Sequence, residues 1–288
     1  MVRVSTEQIK RAVKRLCLQA NQELTPDILD GLKRAIDTEL SPLGKDILDQ
    51  LIVNAKLSKD NQMALCQDTG MVVVFVEVGQ GIFLSGVYIE DAINQGIREA
   101  YQDYYFRHSI VADPFNRENT SDNTPAVIHT RIVPGDHVRI RLSPKGFGSE
   151  NMSRLTMLKP AQGVDGVKQF VLDTVRGAGG NPCPPMVVGV GIGGTMEKAA
   201  QLSKEALLRP VNQDSSIAHI AELERDLLAS INRLGIGPQG FGGTSTALGV
   251  NVETFPTHIA GLPVAVNISC HVTRHQEIII YPEVNPDD

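Results

Sequence analysis

Apolar residues recur at two different periods along this chain, and the changes between them outline its elements. Over the first sixty residues the spacing is helical. Ile9, Val13, Leu16 and Cys17 share one face, then Ile28, Leu29, Leu32 and Ile36, then Leu43, Ile47, Leu48, Leu51 and Ile52. Ser5 with Gln8 spells a capping box, and Thr25-Pro26 and Ser41-Pro42 each set an N-cap residue before a proline suited to the first turn. At Met71 the pattern changes to the β-branched run Met-Val-Val-Val-Phe-Val-Glu-Val of residues 71–78, typical of a buried strand. Beyond it the spacing predicts a helix from Tyr88 to about Phe106, a polar loop from His108 to Pro125, and strands over 127–133 and 137–142.

The second half repeats the mixture. It reads as helices near 164–176, 196–208 and 216–234, with strands at 186–190, 246–253, 262–269 and 277–281. Strict β-α-β alternation is missing, so the predicted class is α+β: a helical N-terminal segment of about 1–60 on a largely antiparallel or mixed sheet domain, not a doubly wound one. The 288 residues suffice for one large domain or two small ones. With no low-complexity linker, the chain is read as a single domain, 1–288.

Composition narrows the function. A net charge of -6 argues against nucleic acid, whose phosphates need a clustered basic surface. No apolar run approaches the roughly 20 residues of a membrane span, and Met-Val-Arg-Val-Ser-Thr-Glu-Gln lacks the apolar core of a secretory signal. The expectation is a cytoplasmic enzyme with its four cysteines reduced.

Those cysteines divide three to one. Cys17 lies on an apolar helical face and reads as core. Cys66 in Leu-Cys-Gln-Asp-Thr-Gly, Cys183 in Gly-Gly-Asn-Pro-Cys-Pro-Pro and Cys270 in Ile-Ser-Cys-His sit among polar or rigid residues, where loops can support a metal-binding thiolate. Three thiolates without a fourth suit an iron–sulfur cluster that keeps one iron open to substrate oxygen. Asp68, two residues after Cys66, and His258, twelve before Cys270, are the general acid–base candidates; taken singly, each is also a turn carboxylate or a core histidine.

Other motifs compete. Gly189-Val-Gly-Ile-Gly-Gly194 satisfies the dinucleotide spelling, but no clear second strand with its acidic residue follows, so a tight, closely packed turn is the preferred reading. Cys270, His271 and His275 lack the companion spacing of a zinc site. The glycine-rich stretches Lys145–Asn151 and Gly237–Thr246 read as backbone nests for a carboxylate.

Taken in order, Cys-Gln-Asp-Thr-Gly, Lys-Gly-x-Gly-Ser-Glu-Asn, Asn-Pro-Cys-Pro-Pro, Gly-Pro-x-Gly-x-Gly-Gly and Pro-Thr-His-x-Ala-x-Leu-Pro-Val make the chain resemble the iron–sulfur hydro-lyases of the class I fumarase and L(+)-tartrate dehydratase group, specifically their alpha subunit or N-terminal domain. The resemblance implies that Cys66, Cys183 and Cys270 ligate a 4Fe-4S cluster with one iron not held by cysteine. It implies reversible loss of water from a small 2-hydroxydicarboxylate, with fumarate/L-malate preferred and L(+)-tartrate the alternative. Asp68 matches the group that protonates the leaving hydroxyl, and Gln67 a substrate contact. Arg107 matches an arginine near the carboxylates, and His258 a pocket histidine. Single-chain members carry a further domain of roughly 200 residues with the proton-abstracting base, so a separate beta subunit is expected as partner. A non-catalytic iron–sulfur scaffold or sensor is the alternative from another class.

Overall fold

A computed structural model describes residues 2–282. In chain order its elements are β1 (Val2–Ser5), α1 (Thr6–Gln22), α2 (Pro26–Thr38), α3 (Pro42–Asn61), β2 (Met71–Gly79), β3 (Ile82–Ser85), α4 (Ile89–Asp103), β4 (Val127–Val133), β5 (Val138–Lys145) and the single turn α5 (Phe147–Glu150). There follow β6 (Arg154–Leu158), α6 (Gly163–Ala178), β7 (Met186–Gly193), α7 (Met196–Ala206), α8 (Ala218–Asn232), β8 (Ala247–Phe255), β9 (Leu262–Ser269) and β10 (Gln276–Ile280). They fall into two compact units, the first from residues 2–23, 58–145 and 274–282, the second from 24–57 and 146–273. The helical segment of 1–60 is therefore not one block: α1 belongs to the first unit, α2 and most of α3 to the second. Among the described residues no helix is long and apolar enough to cross a membrane.

The first unit is built on a sheet of order β10-β5-β2-β4, antiparallel except for the parallel pair β2 and β4. Alternation along the strands sends Val72, Val74 and Val76 of β2 and Val138, Ile140 and Leu142 of β5 into one core. Ile9, Val13, Leu16 and Cys17 of α1 meet them there, with Ile93, Ile97 and Tyr101 of α4. Each such aliphatic side chain contributes roughly 1.5–3 kcal/mol on burial, which is why the β-branched run tolerates no polar interruption on that face. The Ser5 capping box starts α1 as its spelling predicts, with Ser5 Oγ accepting from the Gln8 amide and Gln8 from the Ser5 amide.

The second unit carries the sheet β6-β9-β7-β8, in which β9 is antiparallel to β6 and β7 while β7 and β8 run parallel. One face buries Val188, Val190, Val252 and Val266 with the apolar faces of α6 and α8. On the other, Val187 packs with Ile28 of α2 and Leu207. The Gly189–Gly194 spelling is explained here. A Cβ on Gly189 would meet the Ser203 carbonyl oxygen at 2.2 Å, and one on Gly191 the Ala199 carbonyl at 2.1 Å, so these glycines let α7 lie directly on β7. Both four-stranded sheets are mixed, β1 and β3 pair separately in parallel, and the architecture is α+β.

Candidate functional site

In the first unit the segment Cys66–Gly70 is a loop tied down at Asp68, Thr69 and Gly70. Tyr101, buried in the core, donates its hydroxyl to the Thr69 carbonyl at 2.5 Å; burial pushes its phenol up and keeps it a donor. Asn123, also buried, donates to the Gly70 carbonyl at 3.0 Å and accepts from the Ser109 amide at 2.8 Å. Thr69 Oγ1 donates to the Arg107 carbonyl at 2.9 Å, which places Arg107 next to the loop that carries Gln67 and Asp68. Asp68 Oδ1 accepts from the Gly70 amide at 3.0 Å. Arg274 is buried, and its Nη1 donates to the Asp68 carbonyl at 2.9 Å and to Asn21 Oδ1 at 3.0 Å. Cys66 and Asp68 are half-buried, while Gln67 and Arg107 are exposed. Four predicted residues thus share one braced loop and its immediate neighbour.

In the second unit two cysteine loops adjoin. Cys183 lies exposed before β7 with φ of 54°, a left-handed conformation that a non-glycine residue holds only when its surroundings fix it. Cys270, half-buried, follows the end of β9. Next to it His271 donates its amide to the Cys183 carbonyl at 3.3 Å and brings Nδ1 within 3.0 Å of the same oxygen. All four cysteines are thiols rather than disulfides, and only Cys17 is fully buried, with its thiol pushed up by that burial. Three accessible thiols on fixed loops are a donor set that fits a cluster. Among the described residues, no three His, Cys, Asp or Glu side chains converge as a single metal ion would require; a cluster, whose ligands each take a different iron, makes another demand.

His258 is not with those cysteines. β9 runs from Leu262 back to Ser269, and its pairing sets Ile192 opposite Val264 and Val187 opposite Ser269. The turn holding His258 therefore lies at the opposite end of the strands from Cys183 and Cys270, about 23 Å away over seven residue steps. His258 is exposed, and it lines an open cavity of about 700 Å³ with His219, Ile192 and Ile259.

The glycine-rich loops also depart from the expected anion nests. The amides of Thr244 and Ser245, in Gly237–Thr246, are taken by the protein's own Glu39. Its carboxylate accepts from Thr244 N at 2.9 Å and Ser245 N at 2.7 Å, and from Leu40 N and Ser41 N at the end of α2. Burial alone would raise this carboxyl, but the amide bonds outweigh it and hold it at about 2. In the other loop Glu150 binds Lys204 Nζ through both oxygens at 2.6 Å and accepts from Asn267 of β9 at 3.0 Å. Burial pulls the Lys204 ammonium down, and Glu150 opposes it.

Sequence reasoning missed Arg274, Tyr101, Asn123, Glu39 and Lys204, all of which act on the loops from distant positions. Only Arg274, four residues beyond Cys270, lay close enough to a motif to be suspected.

The family described as fumarate hydratase (Fumerase) matches residues 10–279. A protein of Methanocaldococcus jannaschii with the provisional name L(+)-tartrate dehydratase subunit alpha is 41% identical over 93% of this chain and 95% of its own. The L(+)-tartrate dehydratase subunit alpha of Escherichia coli K12 is 33% identical over 97% of this chain and 93% of its own. A match of this extent leaves one conclusion: the chain belongs to the fumarate hydratase (Fumerase) family of hydro-lyases.

Proposed function

We propose that this chain is the alpha subunit of a two-subunit hydro-lyase that holds a 4Fe-4S cluster through Cys66, Cys183 and Cys270. The observation that carries the reading is the division of the cysteines: three accessible thiols on loops fixed by hydrogen bonds, and a fourth sealed in the core. When bound, the cluster would supply a Lewis-acidic iron to a substrate hydroxyl. Asp68 protonates the departing hydroxyl, so the C–O bond breaks with its electron pair on oxygen and water leaves. A base on the beta subunit removes the proton from the neighbouring carbon, whose electron pair closes the double bond. Gln67 and Arg107 are exposed beside Asp68 and suit a dicarboxylate, the guanidinium through paired hydrogen bonds. His258 stays outside this proposal because a full strand length separates it from Cys270.

The names of the relatives reverse the order of substrates set by the sequence motifs. L(+)-tartrate becomes the first choice and fumarate/L-malate the second. The test is the chain purified without oxygen, assembled with its beta subunit, and assayed on L(+)-tartrate for oxaloacetate and on L-malate for fumarate. Turnover of tartrate by the pair, with little by the alpha chain alone, is the expected result. Full activity of alpha alone would refute the two-subunit reading, and absence of bound iron and sulfide would refute the cluster.

A further inference from the structure

Gln239 is the first of the two open positions of Gly-Pro-x-Gly-x-Gly-Gly, and neither the mechanism above nor the motif gives it a task. Its backbone is left-handed, with φ of 53° and ψ of 16°, which costs a non-glycine residue of order 1 kcal/mol or more. Glycine would occupy this position at lower cost, so the side chain has to justify the strain.

The hydrogen bonds show what it does. Gln239 donates twice to one acceptor, the Pro184 carbonyl: its backbone N–H at 2.8 Å and its side-chain Nε2 at 2.8 Å. The same Nε2 lies 3.2 Å from His271 Nδ1. One amide thus spans from the residue after Cys183 to the residue after Cys270. The loops are close enough for this because Gly240 and Gly180 meet backbone to backbone: a Cβ on Gly240 would come within 2.8 Å of the Gly180 Cα. The far end of the same loop is anchored by Glu39 through the Thr244 and Ser245 amides. Gln239 is therefore the tip of a loop held at its other end, pressing on both thiol loops at once.

We infer that Gln239 is a positioning residue that sets the spacing of the Cys183 and Cys270 thiols. The inference rests on the reading of those thiols as cluster ligands. Partners just outside a metal's ligands orient them, and their loss commonly weakens metal retention about 10–100-fold. A loosened pair of ligands should release iron faster without removing any ligand.

The test compares the full chain with Gln239→Gly, which relieves the left-handed strain and removes the side-chain contacts while keeping the backbone N–H to Pro184, and with Ile231→Val. The latter trims the α8 core and removes none of the Gln239 hydrogen bonds. Each protein is reconstituted without oxygen, and two quantities are followed: iron transfer to a chelator, and the growth of a three-iron paramagnetic signal on limited air exposure. Gln239→Gly should hold the same iron at the start and lose it about tenfold faster, with Ile231→Val close to wild type. Equal rates for Gln239→Gly and wild type, or equal acceleration in Ile231→Val, would overturn the inference. Amide hydrogen exchange on the iron-free chain gives an independent readout: the amides of Cys183, Met186 and residues 270–272 should exchange faster in Gln239→Gly, and unchanged exchange there would overturn it too. A wild-type chain that takes up no iron would instead refute the cluster reading, while the exchange comparison still decides the brace.

Discussion

Glu39→Gln should destabilise the protein at neutral pH and have far less effect in acid. In the folded chain one buried carboxylate accepts from four backbone amides, those of Leu40, Ser41, Thr244 and Ser245, and from the Thr244 hydroxyl. The carboxyl is held at about 2, against 4.5 when unperturbed. A difference of that size is worth about 3 kcal/mol at pH 7, at about 1.4 kcal/mol per pH unit. The sign follows from the direction of the shift. A depressed carboxyl stabilises the folded state fully above its unfolded value and loses that contribution as pH falls through the folded one. The contribution is thus complete above about pH 5, roughly halved near pH 3, and nearly gone at pH 2.

Glutamine keeps the shape, but it offers one acceptor oxygen and turns an amino group toward N–H donors. It therefore resembles the protonated acid, with an added mispairing penalty of order 1 kcal/mol. Urea unfolding of wild type and Glu39→Gln at pH 7, 5 and 3 measures the gap. It should be about 3 kcal/mol or more at pH 7, unchanged at pH 5, and smaller by about 1.5 kcal/mol or more at pH 3. Because the other carboxylates are common to both proteins, they cancel in the difference. A gap under about 1 kcal/mol at pH 7, or one that does not narrow in acid, would refute the assignment of Glu39 as the ion filling this nest.

Four further outcomes follow from the same contacts. Serine at Cys66, Cys183 or Cys270 should each deplete iron and abolish turnover, whereas Cys17→Ala should retain iron and cost about 1–2 kcal/mol in urea melts; iron loss in Cys17→Ala would reverse the division of the cysteines. Asp68→Asn should keep a full complement of iron and sulfide while the assembled enzyme slows at least about 100-fold, and surviving activity would remove Asp68 as the acid. Gly191→Ala puts a Cβ 2.1 Å from the Ala199 carbonyl, so α7 must shift and thermal melting should show a loss of about 2–3 kcal/mol. Lys204→Met strands the Glu150 carboxylate beside Asn267 at a cost of about 3 kcal/mol. The double variant with Glu150→Gln should recover part of that loss in the same melts; a double variant as unstable as the two losses summed would show that the two side chains do not act as a pair.

The elements and the site were legible to different depths, and the reason lies in the range of the interactions that decide each. Where one apolar face carries an element, the sequence period suffices: β2, α4, α6 and β9 fall where the β-branched runs and helical spacings put them. β1, β3 and β6 escape because four or five residues such as Ile82-Phe-Leu-Ser hold too few turns of any period to register. The division into units escapes for another reason. The chain leaves the first unit at Glu23 and returns to it at Ser58, inside an unbroken helix, so no composition change marks the crossing.

The same distinction governs the site. That Gly237–Thr246 would present amides to an anion follows from its glycines and is correct as physics. Which anion occupies it depends on Glu39, some two hundred positions away, and a protein carboxylate on the spot excludes a substrate one from those amides. His258 teaches the complementary point. Twelve residues before Cys270 sounds near, but a strand of eight residues intervenes, and an extended chain turns sequence proximity into spatial separation. Cys183 and Cys270, 87 positions apart by their numbers, meet because β7 and β9 are antiparallel neighbours whose adjoining ends carry them. Motif chemistry says which residues are able to act; strand direction decides which of them act together.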